Sequence, residues 1–128
     1  MKHPDIKPTE KELEILQVIW NKGPSTVREI NEKLAQTNAV GYTTTLKLMQ
    51  IMFEKGILSR TKNGKTHTYQ SNMSMESTQK QLIDKLLVTA FQGSAMSLVM
   101  QALGNRKSSK KELDEIRSYL DKLEGGEK

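Results

Sequence analysis

The chain has 128 residues, of which 35% are hydrophobic and 5% aromatic, and carries a formal net charge of +5 with a sequence pI near 9.4. That length holds one domain or two small lobes and excludes a large multidomain enzyme, while the low apolar content points to surface completed by a partner subunit. The basic balance favours nucleic acid, and the lack of cysteine excludes disulfides, thiolate metal sites and cysteine nucleophiles. The polar N-terminus MKHPDIKPTEKE has no apolar h-region and no stretch reaches the length of a membrane span, so the expectation is a cytoplasmic protein without a membrane segment.

The charge is unevenly spread. Residues 41–70 hold Lys47, Lys55, Arg60, Lys62 and Lys65 against Glu54 alone, a net of four, whereas residues 73–128 hold nine basic and eight acidic groups, a net of one. The chain opens with a T-x-x-E capping box, Thr9 to Glu12, which starts a first helix near Glu10. Leu13, Ile15, Leu16, Ile19 and Trp20 give that helix a broad apolar face, with Trp20 expected in the core, and Gly23-Pro24 stops it. A second box, Thr26 to Glu29, starts a shorter helix with Val27, Ile30 and Leu34 on one side.

Residues 41–56, GYTTTLKLMQIMFEKG, form the stretch on which the functional reading turns. At helical spacing the apolar set centres between Met49 and Met52, with Thr45 close to that direction, while Thr43, Thr44, Lys47, Gln50 and Ile51 lie around the other side. A buried helix with short hydroxylated residues and a lysine on its outer face suits entry into the DNA major groove. Threonine lets the backbone approach, and lysine reaches phosphate or guanine. An amphipathic helix with a solvated face is the plain alternative. Gly56 is expected to close the helix in the left-handed conformation. LEILQVIW from Leu13 and LKLMQIMF from Leu46 match in apolar pattern, as two helices facing one core would.

After Gly56 the period changes to that of strands. ILSRTK and KTHTYQ flank Asn63-Gly64, a strong hairpin signal, and the hairpin carries Arg60, Lys62, Lys65 and His67. Three helices and then a basic hairpin is the order of a winged helix-turn-helix, whose wing lies on the sugar-phosphate backbone beside the recognition helix. The expected fold is therefore mainly α with a small β-hairpin. A DNA-binding lobe spans residues 1–72 and a helical dimerisation lobe residues 73–128.

In the second lobe Leu82, Ile83, Leu86, Leu87, Ala90 and Phe91 form one stripe, broken at Gly93. Ser94 can cap a short helix containing Leu98, Val99, Met100 and Leu103, and a third box, Ser109 to Glu112, begins a last helix with Leu113, Ile116, Leu120 and Leu123. Three short amphipathic helices offer one another too little surface, which favours a homodimer over a subdomain packed back on the first lobe. Met49, Met52 and Met100 sit at core spacing. No nucleophile with a base, carboxylate pair or phosphate-binding glycine loop is legible, and the two histidines, His3 and His67, lie in the tail and the hairpin. No enzyme activity, cofactor or metal is expected.

On these segments the chain resembles the penicillinase repressor family of bacterial winged-helix regulators, which control β-lactam-resistance and related genes. The resemblance runs from about Pro8 to Leu123. It rests on T-x-x-E-x-E-I-L-x-V-I-W, GPSTVREI, GYTTTLKLMQIMFEKGIL, the hairpin ending in Tyr69, and FQGSAMSLVMQAL. It implies a homodimer whose N-terminal lobes bind a palindromic double-stranded DNA operator and whose C-terminal helices interlock. The family's recognition-helix positions fall on Thr43, Thr44 and Lys47, and its wing contacts on Arg60, Lys62 and Lys65. Arg28 is added as a phosphate contact and Leu46 as a contact to a thymine methyl. Members switched by a membrane sensor peptidase have an Asn-Phe bond in the short helix after the Gly-Ser pair; here the place reads Gln101-Ala102, which argues against that partner. The copper-responsive branch carries a C-terminal cysteine motif, and this chain has no cysteine. Two rival readings are a winged-helix module that docks another protein and a DNA binder that senses a small ligand.

Overall fold

The computed structural model describes residues 6–105 and 107–125. Its elements run α1 (Glu10–Lys22), α2 (Val27–Leu34), α3 (Tyr42–Lys55), β1 (Leu58–Asn63), β2 (Thr66–Ser71), α4 (Met75–Ala90), α5 (Ala95–Gly104) and α6 (Lys110–Glu124). The chain divides into two compact units between Ile83 and Asp84, inside α4.

Both expected N-terminal capping boxes form. The Thr9 N–H donates to Glu12 Oε1 at 3.0 Å and the Glu12 N–H to Thr9 Oγ1 at 3.2 Å; Thr26 and Glu29 repeat the exchange at 2.9 and 3.2 Å. Glu12 is 2% exposed, and its other carboxylate oxygen accepts from Lys55 Nζ at 2.7 Å. One buried carboxylate thus caps the start of α1 and ties it to the end of α3. Such a group is tolerated because both of its oxygens are satisfied.

The core of the first unit comprises Ile15, Leu16, Val18 and Ile19 of α1, Val27 and Ile30 of α2, and Met49 and Met52 of α3, with Ile57, Leu58 and Tyr69 from the hairpin. The echo between α1 and α3 is a shared burial pattern: Leu16 and Met49 are sealed, as are Ile19 and Met52, while Gln17 and Gln50 are exposed. It weakens at Ile15 against Leu48, which is half-buried, and fails at Val18 against Ile51, which lies on the outer side of α3 and is exposed. Trp20 is half-buried at the core margin, not inside it. Its indole N–H needs an acceptor and finds the Met73 carbonyl at 2.9 Å, which joins α1 to the segment before α4.

Gly56 adopts φ 87° and ψ 5°, ending α3 as expected, and the next N–H, of Ile57, donates back to the Met52 carbonyl at 2.9 Å. The hairpin turn lies one residue later than Asn63-Gly64. Asn63 pairs with Thr66, so the central residues are Gly64 and Lys65, and only Gly64 has positive φ, at 63°. Gly followed by a residue of ordinary φ is the pattern of a type II′ turn. Asn63 contributes its side chain instead, donating to Thr68 Oγ1 across the strands at 2.9 Å.

In the second unit Ser94 and Ser109 cap α5 and α6, accepting from the Ser97 and Glu112 N–H groups at 3.1 and 3.0 Å. The Ser109 cap is one-sided. No return bond from Glu112 is present among the described residues, so the third box forms only by half. Gln92 and Gly93, both at positive φ, separate α4 from α5. Neither α5 nor α6 has a buried residue, and Met100, placed at core spacing by the sequence, is 63% exposed because nothing in its own unit reaches it. No single described helix is long and apolar enough to cross a membrane.

Candidate nucleic-acid interface

Asn31 sets the pitch of α3. Its Nδ2 donates to the Val40 carbonyl at 3.0 Å and to Thr45 Oγ1 at 2.9 Å, bridging α2 to both the connector and the first turn of α3. Thr45 is fully buried, as its angular position implies, so its hydroxyl belongs to the helix-turn-helix joint. With Thr45 locked inward, Thr43, Lys47 and Gln50, at i, i+4 and i+7, form an exposed stripe along the outer side of α3.

The flanking residues diverge from that stripe. Thr44, although exposed, lines a hollow with Leu48, Lys11, Glu14 and residues 38–41. Leu46 is half-buried on the opposite flank. There it joins Thr26, Val27, Arg28, Tyr42, Lys65, Thr66, His67 and Tyr69 around a groove between α2, α3 and the hairpin. A two-sided backbone exchange anchors this arrangement: the Ser25 N–H donates to the Tyr69 carbonyl at 2.9 Å, and the Tyr69 N–H to the Ser25 carbonyl at 2.8 Å. The root of the wing is thereby fixed to the residue that precedes the α2 cap.

The cations fall into two sets. Arg28, Lys47, Lys62 and Lys65 are exposed and make no ion pair among the described residues. Arg60 is half-buried and engaged internally: its Cζ lies 3.9 Å from the centre of the Phe53 ring and Nη1 donates to the Tyr69 hydroxyl at 3.3 Å. The strand register explains the difference. Leu58 and Arg60 share a face with Tyr69 and His67, the face that reaches the core at Leu58 and Tyr69, and Lys62 lies beyond them toward the tip.

The start of α3 also differs from those of α1 and α2. Its N-cap, Gly41, gives no side-chain hydrogen bond, and its first turn holds no acidic residue, so the backbone N–H groups there stay open to an anion. At α2 the box holds the Glu29 carboxyl below its ordinary range, chiefly through the Thr26 N–H it accepts, against the opposing effect of burial and with help from Lys22 and the Thr26 side chain. Among the described residues no cluster of three or more His, Asp or Glu side chains is placed to hold a metal ion.

The sequence did not single out Tyr42 or Gln50 as contacts, and it set His67 aside as a surface strand residue. Tyr42 stands one turn before Leu46 and could have been read from that spacing. The place of His67 in the groove depends on the hairpin register, which the one-residue shift of the turn decides.

The sequence pattern that defines the family described as penicillinase repressor matches residues 8–122. The chain belongs to the penicillinase repressor family. It is 23% identical to a penicillinase repressor of Staphylococcus aureus over 96% of this chain and 98% of that one, and 24% identical to one of Bacillus licheniformis over 88% of each. It is 23% identical to the methicillin resistance regulatory protein MecI of Staphylococcus aureus strain N315, over 87% of this chain and 90% of that one. Among solved structures, the DNA-binding domain of the repressor BlaI superposes with a TM-score of 0.51 at 27% identity, covering 60% of this chain and 93% of that one. The transcriptional regulator Tm0710 of Thermotoga maritima gives 0.53 at 21% identity, covering 91% and 74%. The first unit is thus a winged helix-turn-helix, with α3 in the place of the recognition helix and β1-β2 as the wing.

Proposed function

We propose that this protein is a cytoplasmic transcriptional repressor that binds palindromic operator DNA as a homodimer, controlling β-lactam-resistance or related regulatory genes. The observation that carries the reading is the set of exposed cations Arg28, Lys47, Lys62 and Lys65, without an ion pair among the described residues, spread over α2, α3 and the wing around the open stripe of α3. Thr43, Lys47 and Gln50 enter the major groove, Thr44 and Leu46 border it, and Lys62, Lys65 and Arg28 sit on phosphates. Arg60 acts mainly by stiffening the wing against Phe53 and Tyr69.

The homodimer is supported by the apolar side chains that the chain leaves uncovered. Val88, Met96, Val99, Met100, Tyr119, Leu120 and Leu123 are each 48–74% exposed, and Ile83 and Leu86 are 44% and 41% exposed. Ala90 is also exposed, and Leu82, Leu87, Phe91, Leu103, Leu113 and Ile116 are partly buried without being sealed. A surface of that character suits a second copy better than water. The presence of Gln101-Ala102 where peptidase-switched members have Asn-Phe supports release from DNA by a route other than cleavage at that bond.

Fluorescence anisotropy with the chain's own upstream DNA tests the reading. Binding at moderate salt should exceed that of random duplex by about 1000-fold or more, with half-sites spaced near multiples of about 10 base pairs. Equal affinity for both duplexes would remove the repressor assignment in favour of a protein-docking module.

A further inference from the structure

The groove between α2, α3 and the wing brings together chemistry that the sequence leaves scattered. Arg28 from α2, Tyr42 from α3, Lys65 from the hairpin turn and Tyr69 from β2 line it together with His67, and Arg60 and Lys62 of β1 share the face of the hairpin that His67 occupies. Lys62 stands directly opposite in the strand register, and the Tyr69 ring meets the imidazole edge-on at 6.3 Å. Among the described residues no carboxylate lines the groove. The acidic residue in the first turn of α2, Glu29, is held by the Thr26 N–H and lines a different hollow, between α1 and α2.

The imidazole thus shares the groove with cations and phenols and, among the described residues, with no anion. Its charged form gains a partner only when an anion enters the groove. We propose that the groove seats a phosphate of the DNA backbone and that His67 makes this contact proton-linked, so that DNA binding takes up a proton. The inference rests on the DNA-binding reading above and adds a residue and a pH dependence to it. Histidine suits the role because its charge changes within the ordinary pH range. The sign follows from linkage: a group that binds its proton more tightly in the complex makes the complex tighter as pH falls.

The test is duplex binding by anisotropy at fixed ionic strength across pH, on the full chain, on His67→Gln and on His67→Lys. Wild type should bind about three- to tenfold more tightly near pH 6 than near pH 8, with a salt slope steeper by about 0.9 at the lower pH. His67→Gln should lose both differences, binding with the same affinity and salt slope near pH 6 as near pH 8. His67→Lys carries a fixed charge and should show, near pH 8, the affinity that wild type reaches near pH 6, a gain that a misfolded variant cannot mimic. A pH dependence that survives in His67→Gln, or that disappears instead in His3→Gln, overturns the proposal while leaving DNA binding intact. Failure of wild type to bind any duplex overturns the DNA-binding reading and this proposal together.

Discussion

The two units of the chain solve the problem of apolar surface in opposite ways. In the first, α1, α2, α3 and the hairpin enclose a common core in which Ile15, Leu16, Ile30, Met49, Met52 and Ile57 are fully buried. In the second, α5 and α6 have the same amphipathic pattern and comparable caps but bury no residue. Periodicity therefore says which face of a helix seeks a partner, while the count and length of neighbouring elements decide whether the same chain supplies it.

The largest effect expected from this contrast is on folding. Ile30→Ala should cost about 2–5 kcal/mol, read by chemical denaturation and independent of protein concentration. Leu120→Ala, half exposed in the lone chain, should cost the monomer no more than about 0.5 kcal/mol. Equal, concentration-independent losses for the two would break the comparison.

Next in size is association. Leu120→Glu with Leu123→Glu should raise the dimer dissociation constant about 30-fold or more, equivalent to ~2 kcal/mol, in sedimentation experiments. Sedimentation of wild type as a monomer at micromolar concentration would contradict a second unit completed by its own copy.

Smaller again are the changes that divide the first unit into positioning and reading parts. Lys62→Ala with Lys65→Ala should weaken binding to every duplex and lower the salt slope by about 2, whereas Thr43→Ala should chiefly reduce the ratio of cognate to random affinity. Identical losses on both duplexes for both variants would erase that division.

The smallest effect concerns the α2 cap. Because the folded-state pKa of Glu29 is lowered, its contribution is fully present above the ordinary carboxylate range and is lost as pH falls through the lowered value. Glu29→Gln should therefore melt below wild type at neutral pH, with the gap closing in acid; a gap that is constant with pH would assign the cap's contribution to Thr26 alone.

The sequence by itself determined the helices and their order, because caps, glycine stops and period act over a few residues. Thr9 with Glu12, Thr26 with Glu29 and Gly56 each placed an end correctly, and the angular position of Thr45 on the helix was enough to turn it inward. Tertiary structure decided whatever depends on residues distant in the chain. It placed the hairpin turn at Gly64-Lys65, kept Trp20 at the margin where the Met73 carbonyl lies, drew Arg60 onto Phe53, and left Met100 uncovered. It also decided the site. Which side chains share a groove depends on strand register and on the Ser25–Tyr69 exchange, and neither leaves a periodic trace in the sequence.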